Sequence, residues 1–242
     1  MLANKIYLKN AGVFRKFYLS NPEFKKVYYK LGRPKPFDVN LNNSLIVLNN
    51  NELKKVINNT NINHFSFITS ISESFLLKNA KKTIENSDQD IFEMMYNLDE
   101  TQVRRFPPFV KLYVTCINEC PINGKIDNNF IINRLLQLNK MKVDNICLSD
   151  TCGTLNATDF KYIVDNCNNN GLPFKRLSLQ LRVKQNREKE IEKVIHNALE
   201  RKITNFDVSL TEMNKNNTPP ILSYEQYYKF LINYIKNIRY SF

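Results

Sequence analysis

The sequence predicts an α/β protein, a (β/α)8-type TIM barrel that is incomplete because its first strand is missing or replaced. Three observations carry this. Short runs rich in β-branched and aromatic residues recur along the chain, at 13–19, 44–48, 64–70, 109–117, 145–149, 176–182 and 205–210. Between them lie segments whose apolar residues repeat at helical spacing. The 242 residues contain no compositional break that would mark a linker, so residues 1–242 are read as a single domain. Strand–helix units in series demand a parallel sheet with helical cover, and right-handed crossovers favour closing it into a barrel.

The elements follow in order. VFRKFYL at 13–19 reads as a strand, with a helix over 22–31. SLIVL at 44–48 and HFSFITS at 64–70 are the next strands, with a helix over 51–58 between them. Residues 71–87 read as a long loop with a helical turn, and 88–98 as a helix. FVKLYVTCI at 109–117 alternates as a strand should. Phe130, Ile131, Leu135, Leu138 and Met141 form a helical stripe over 129–141. NICLS at 145–149 is a short apolar run of the kind buried in parallel sheets.

Asn156, with Asp159 three residues on, signals a helix start. Phe160, Ile163, Val164 and Cys167 give its apolar face, and Gly171 ends it. RLSLQLR at 176–182 is a strand, and Ile191, Val194, Ile195, Ala198 and Leu199 face inward from the next helix. NFDVSL at 205–210 reads as the last strand. Pro219-Pro220 closes a loop, and Ser223 with Gln226 makes a capping box for a helix carrying Tyr227, Tyr228, Leu231, Tyr234, Ile235 and Ile238. Residues 5–9 are read either as a remnant of a first helix or as a makeshift strand. An open barrel leaves strand edges exposed, which a homo-oligomer or a docked N-terminal segment would cover.

Composition bounds the function. No apolar run approaches the roughly 18 residues of a membrane span, so no membrane partner is expected. The five cysteines are odd in number and lack the spacing of a secreted disulfide framework. Reduced thiols and a cytoplasmic location follow. The mitochondrial matrix is the alternative, because Lys5, Lys9, Arg15 and Lys16 precede the first acid, Glu23. The chain has 35 Lys and Arg against 23 Asp and Glu, a net charge of +12. That charge suits a nucleic acid or an acidic partner. An Asn-, Lys- and Ile-rich bias spread over the whole chain accounts for it more simply, so nucleic acid is not the expected partner.

LYVTCINECPINGKI at 112–126 and NICLSDTCGT at 145–154 carry a resemblance. They are similar to the hydroxymethylglutaryl-CoA lyases, metal-dependent TIM-barrel lyases related to isopropylmalate synthase and the pyruvate carboxyltransferases. The carriers are Cys116, Cys120-Pro121 with Gly124-Lys125, and Ser149-Asp150-Thr151-Cys152-Gly153. Ser20-Asn21-Pro22 with Phe24, residues 45–82 and residues 177–210 extend the likeness more weakly. The resemblance implies a barrel that cleaves a C–C bond in an acyl-CoA, with a divalent cation such as magnesium or manganese at the mouth polarising the substrate oxygens.

The resemblance also implies features that this chain lacks. No R-D-G-type motif supplies the Arg-Asp pair of the first strand. The acidic residue at the end of the second strand is replaced near Arg15. The His-x-His ligands of the seventh strand match Gln180 and Arg182, and a guanidinium has no lone pair for a cation. The Gly-rich loop with a catalytic Cys matches TEMNKNNTPP, where Asn214, Asn216 and Asn217 offer no assignable ligand. No metal ligand and no cofactor are therefore carried over.

The remaining candidates are Asp150 and Thr151 for catalysis, and Arg182, Cys116 and Cys120 for substrate. For Asp150, a structural turn carboxylate competes evenly with a working acid. Cys116, Cys120 and Cys152 could gather as a soft-metal site, although small packing thiols are the simpler reading. His64 is read as structural or solvent-facing, and His196 as a helix residue facing away from a barrel mouth. Three functions stay open. The leading one is an inactive lyase-like barrel. The second is a remodelled enzyme in which Arg182, with Arg15 or Lys184, holds a CoA ester or a dicarboxylate. The third is a basic binding module.

Overall fold

The computed structural model describes residues 44–59, 64–100, 107–209 and 219–239. The expected strand at 13–19, the helix at 22–31, residues 5–9, Arg15, the Ser20-Asn21-Pro22 loop and Asn214, Asn216 and Asn217 lie outside the described residues. Five strands form one parallel sheet in the order β1-β2-β3-β6-β7, namely β1 (Ser44–Ile46), β2 (His64–Ser70), β3 (Phe109–Thr115), β6 (Asn145–Ser149) and β7 (Leu177–Gln180). A small antiparallel hairpin, β4 (Glu119–Cys120) and β5 (Gly124–Lys125), stands between β3 and the next helix. The helices are α1 (Asn50–Asn59), α2 (Glu73–Ala80), α3 (Ile84–Glu100), α4 (Asn128–Asn139), α5 (Ala157–Asn169), α6 (Glu188–Glu200) and α7 (Tyr224–Arg239). This is an α/β architecture consistent with part of a TIM barrel, and the sheet is not closed among the described residues. None of the described helices is long and apolar enough to cross a membrane.

Strand alternation divides the sheet into two faces. Leu45, Phe65, Phe67, Val110, Leu112, Val114, Ile146, Leu148, Leu177 and Leu179 point outward and are buried in one core with helical residues such as Leu53, Ile91, Leu135, Ile163 and Val194. Each such side chain contributes about 1.5–3 kcal/mol on burial, so this layer holds the helices on the sheet. The opposite face carries Ser44, Ser66, Lys111, Asn145, Cys147, Ser149, Ser178 and Gln180, all buried. Several polar residues are register neighbours: Ser66 lies beside Lys111, Lys111 beside Asn145 and Ser149 beside Gln180, while Ile46 and Tyr113 share the face beside Ser66 and Cys147.

Local signals explain the helix ends. Asn156 Oδ1 accepts the Asp159 N–H at 2.8 Å, as the sequence suggested. Gly171, at a φ of +94°, turns the chain out of α5 while Leu172 N–H returns to the Cys167 carbonyl at 2.9 Å. The capping box forms, with Gln226 N–H on Ser223 Oγ at 3.1 Å and Ser223 N–H on Gln226 Oε1 at 3.2 Å.

Two expectations change. Residues 73–80 are a helix rather than a loop: Ser72 caps it, accepting the Phe75 N–H at 3.3 Å. Only Leu76 of α2 is buried, so no apolar stripe advertised it. Among the described residues, 205–209 form no ladder strand but isolated bridges, Leu179 with Phe206 and Ser209 with Ser223. The chain after Pro219 takes the place of a continuous partner: Val183 N–H bonds to the Pro220 carbonyl at 2.8 Å, Leu222 N–H to Leu181 at 2.9 Å and Ser209 N–H to Leu222 at 2.9 Å.

Candidate functional site

The C-terminal ends of β2, β3, β6 and β7 place Ser70, Thr115, Ser149 and Gln180 at one end of the sheet. The loops that follow bring Ser72, Cys116, Cys120, Asp150, Thr151 and Arg182 there. Asp150 is fully buried directly after β6. Its Oδ1 accepts the Gly153 and Thr154 N–H groups at 3.0 and 3.2 Å, and its Oδ2 accepts Leu155 N–H at 3.1 Å. Burial raises the Asp150 carboxyl above its ordinary value, opposed by those three amides and by the charge of Arg187. This is the geometry of the turn carboxylate. Thr151 Oγ1 accepts the Cys116 N–H at 2.8 Å and so ties the loop after β6 to the loop after β3.

Gly153 shows how tightly the next loop presses on this turn. It sits at a φ of +67°, and a Cβ there would come within 3.1 Å of the Arg182 carbonyl and 3.2 Å of the Lys184 amide. Arg182 is half-buried, and its guanidinium donates to the Pro219 carbonyl at 2.6 Å. Burial lowers its pKa, while the nearby Asp150 and Cys152 act to raise it. Lys184 is exposed. Gln180 Oε1 accepts the Ser149 hydroxyl at 3.0 Å.

The thiols differ among themselves. Cys116 is buried with a left-handed φ of 61°, and burial pushes its thiol up to about 11. Cys120 lies in β4, and its sulfur accepts the Ser72 hydroxyl at 3.0 Å and the Ile122 N–H at 3.3 Å. Burial works to raise this thiol as well. Hydrogen bonds from Ser72, from the Asn123 and Ile122 amides and from Cys116 outweigh it and hold the thiol below its ordinary value. Cys152 donates to the Glu119 carbonyl at 3.4 Å, and burial pushes it up to about 12.

The sequence candidates Asp150, Thr151, Cys116 and Cys120 are therefore neighbours, with Arg182 and Cys152 at their side. Ser70 and Ser72, which complete the setting of the thiols, were not read from sequence; the signal was a Ser three residues before Phe75 at a helix start. A second polar cluster was missed altogether. Lys111, fully buried on β3, places Nζ 2.6 and 2.7 Å from the two carboxylate oxygens of Asp207. The Cys147 thiol donates to the same carboxylate at 3.5 Å, and the ammonium lies 5.2 Å from the Tyr113 ring centre. The signal was a single charge of each sign, Lys111 and Asp207, inside two strand-like runs.

The histidines lie elsewhere. His64 lies against Phe109 in a tilted pair with ring centres 5.2 Å apart. His196, which showed no partner in sequence, joins α6 to α7: Nε2 is 3.2 Å from the Phe230 carbonyl, and its ring is 5.3 Å from Tyr234.

A hard divalent cation such as magnesium or manganese is held mainly by oxygen donors with free lone pairs. Asp150 has both oxygens on backbone amides, the Gln180 oxygen takes a hydroxyl, and Arg182 brings positive charge. The described donors do not fit such an ion. Among the described residues no group of three or more His, Cys, Asp or Glu is arranged to hold a metal.

No family model and no curated protein sequence matches the chain. Solved structures do. The HMG-CoA lyase of Brucella melitensis superposes with a TM-score of 0.70 at 16% identity, over 86% of this chain and 71% of the lyase. The hydroxymethylglutaryl-CoA lyase of Pseudomonas aeruginosa gives 0.69 at 18% identity, over 83% of this chain and 64% of the other. The carboxyl transferase domain of Rhizobium etli pyruvate carboxylase gives 0.55 at 13% identity, over 97% and 40%. The chain spans about two thirds of the lyases it matches, and the likeness is one of fold.

Proposed function

We propose that this chain is a lyase-type barrel without metal-dependent C–C cleavage. The observation that carries the reading is the donor chemistry at the C-terminal end of the sheet. The buried Asp150 carboxylate there is engaged at both oxygens by three amides of its own turn, and a guanidinium stands at the residue where the resemblance implies an imidazole ligand. Lewis-acid stabilisation of an enolate is the main electrostatic contribution in such a lyase, and these side chains supply no substitute for it. Purified full-length protein incubated with hydroxymethylglutaryl-CoA and magnesium or manganese is expected to form no more acetoacetate than a buffer control. Turnover abolished by a chelator would overturn the reading.

A second reading is favoured by Arg182 alone. Its half-buried guanidinium beside the Asp150 turn suits the carboxylate or phosphate of an anionic ligand. On this reading a CoA ester or a dicarboxylate raises the melting temperature of the wild type and not of Arg182→Gln. No shift at millimolar ligand would dismiss it.

A further inference from the structure

The positive charge of the chain is unequal at the two ends of the sheet. The loops that lead into β6, β7 and the Phe206 bridge are residues 140–144, 170–176 and 201–205, at the end opposite the Asp150 turn. They carry six cations, Lys140, Lys142, Lys175, Arg176, Arg201 and Lys202, against one acid, Asp144. At the Asp150 end, the described loops 47–49, 71–72, 116–127, 150–156 and 181–187 carry four cations against three acids. An even compositional bias would charge both ends alike.

The three loops form one rim. They lead into neighbours in the sheet, where strands stand about 4.8 Å apart. Asn139 Nδ2 donates to the Gly171 carbonyl at 3.1 Å, and the Arg176 guanidinium donates to Asn139 and to the Val143 carbonyl, which binds the first two loops together. The third arrives beside them, its Asn205 carbonyl accepting the Leu179 N–H of β7 at 3.0 Å. Both arginines are engaged within the protein, Arg176 on those oxygens and Arg201 on the two oxygens of Asp165. The four lysines are exposed, and none lies within ion-pair distance of a carboxylate among the described residues.

These features select a ligand chemistry. An ammonium on a flexible stem meets phosphate as a point charge, whereas the planar forks that grip a carboxylate at two points are already occupied here. None of the exposed large apolar side chains belongs to the three loops, and Met141 and Phe174 pack against the core. The rim therefore has neither an aromatic platform for an unpaired base nor an apolar wedge for a bilayer. We propose that the rim of Lys140, Lys142, Lys175 and Lys202 binds the phosphate backbone of a nucleic-acid duplex without reading its bases. Each lysine that neutralises a phosphate releases a condensed counterion, and that release drives binding. Four such contacts give log K a slope of about −3.6 against log salt, a loss of about 150-fold between about 50 and 200 mM. The surface lies away from the Asp150 end, so this inference goes beyond the lyase reading and is independent of it.

The test titrates full-length protein into fluorescently labelled short duplexes of unrelated sequence, of DNA and of RNA, read by anisotropy at several salt concentrations. Two variants lower the net charge by the same amount at different places. The rim variant combines Lys140→Gln, Lys142→Gln, Lys175→Gln and Lys202→Gln. The control combines Lys54→Gln, Lys78→Gln, Lys189→Gln and Lys229→Gln, all exposed on helices. The wild type is expected to bind every duplex alike. The rim variant should lose at least about tenfold in affinity and most of the salt slope, while the control keeps the slope within about one. If the combined rim variant fails to fold, each single rim change is expected to lower the slope by about 0.9. Equal losses in the two variants would overturn the inference. So would tighter binding to single strands, to phosphatidylserine vesicles or to polyglutamate than to the duplexes.

Discussion

The two faces of the sheet are made by the same strands and obey different rules. The outward face is apolar apart from Thr69, whose hydroxyl pairs with Ser87 at 3.0 Å, and it holds mainly by area, each residue contributing through many weak contacts. The inward face is polar and holds by pairs. Ser44 meets Ser66 at 2.6 Å, Ser178 donates to Asn145 at 2.5 Å, Ser149 donates to Gln180, and Lys111 grips Asp207. An apolar residue that loses a neighbour loses part of its stabilisation. A buried polar residue that loses its partner becomes a liability, because its desolvation is no longer repaid. The inward face should therefore respond to change in a more all-or-none manner.

The largest expected effect breaks the Lys111–Asp207 pair. Lys111→Met alone leaves a buried carboxylate with only the weak Cys147 donor, and Asp207→Leu alone leaves a buried ammonium. Each single change should destabilise by about 3–5 kcal/mol, read as a fall in the urea midpoint. The double variant Lys111→Met with Asp207→Leu should return to within about 1–2 kcal/mol of wild type, because neither charge remains to be desolvated. If the two single losses simply add in the double variant, the pair is not what the inward face depends on.

The next effect is on the outward face. Leu148, fully buried on β6 and opposite in orientation to Cys147 and Ser149, is surrounded by apolar side chains. Leu148→Ala should cost about 2–5 kcal/mol by lost burial and a residual cavity. Unlike the ionic pair, it should have no single rescuing partner. A second-site substitution that restored Leu148→Ala fully would blur the contrast between the faces.

This contrast also explains what could be read from sequence. The outward face was legible because alternation and helical stripes are statements about area: the strands expected at 64–70 and 145–149 fell there, and the one expected at 109–117 runs from Phe109 to Thr115. The Lys111–Asp207 pair was not, because alternation marks a polar position without saying whether water or another side chain satisfies it, and the two residues lie 96 positions apart. At the candidate site, the segment from Cys116 to Cys120 and the Asp150-Thr151 turn were found through their motifs. The turn role of Asp150 was a stated alternative, yet only the coordinates place three amides on its carboxylate. Ser72 carried only the weak signal of a serine three residues before Phe75 at a helix start, and Ser70 carried none, since serine is ordinary in any loop.

The smallest effect lies outside both faces, on the helical surface, and uses pH. Arg201 donates to both oxygens of Asp165, at 2.6 and 2.9 Å, joining α5 to the end of α6. Those hydrogen bonds hold the Asp165 carboxyl below its ordinary value. A carboxyl depressed in the folded state stabilises fully above its unfolded pKa, near 3.9, and loses that contribution as pH falls through the lower folded value. Asp150 has the opposite sign: raised by burial, it favours the folded state more as pH falls into the carboxylate range. Asp165→Asn should therefore leave the stability at pH 7 only slightly reduced and flatten the fall in stability below about pH 4. Urea midpoints measured from pH 3 to pH 7 give the comparison. A variant whose acid limb stays parallel to wild type would show that this surface pair is not what acid disrupts.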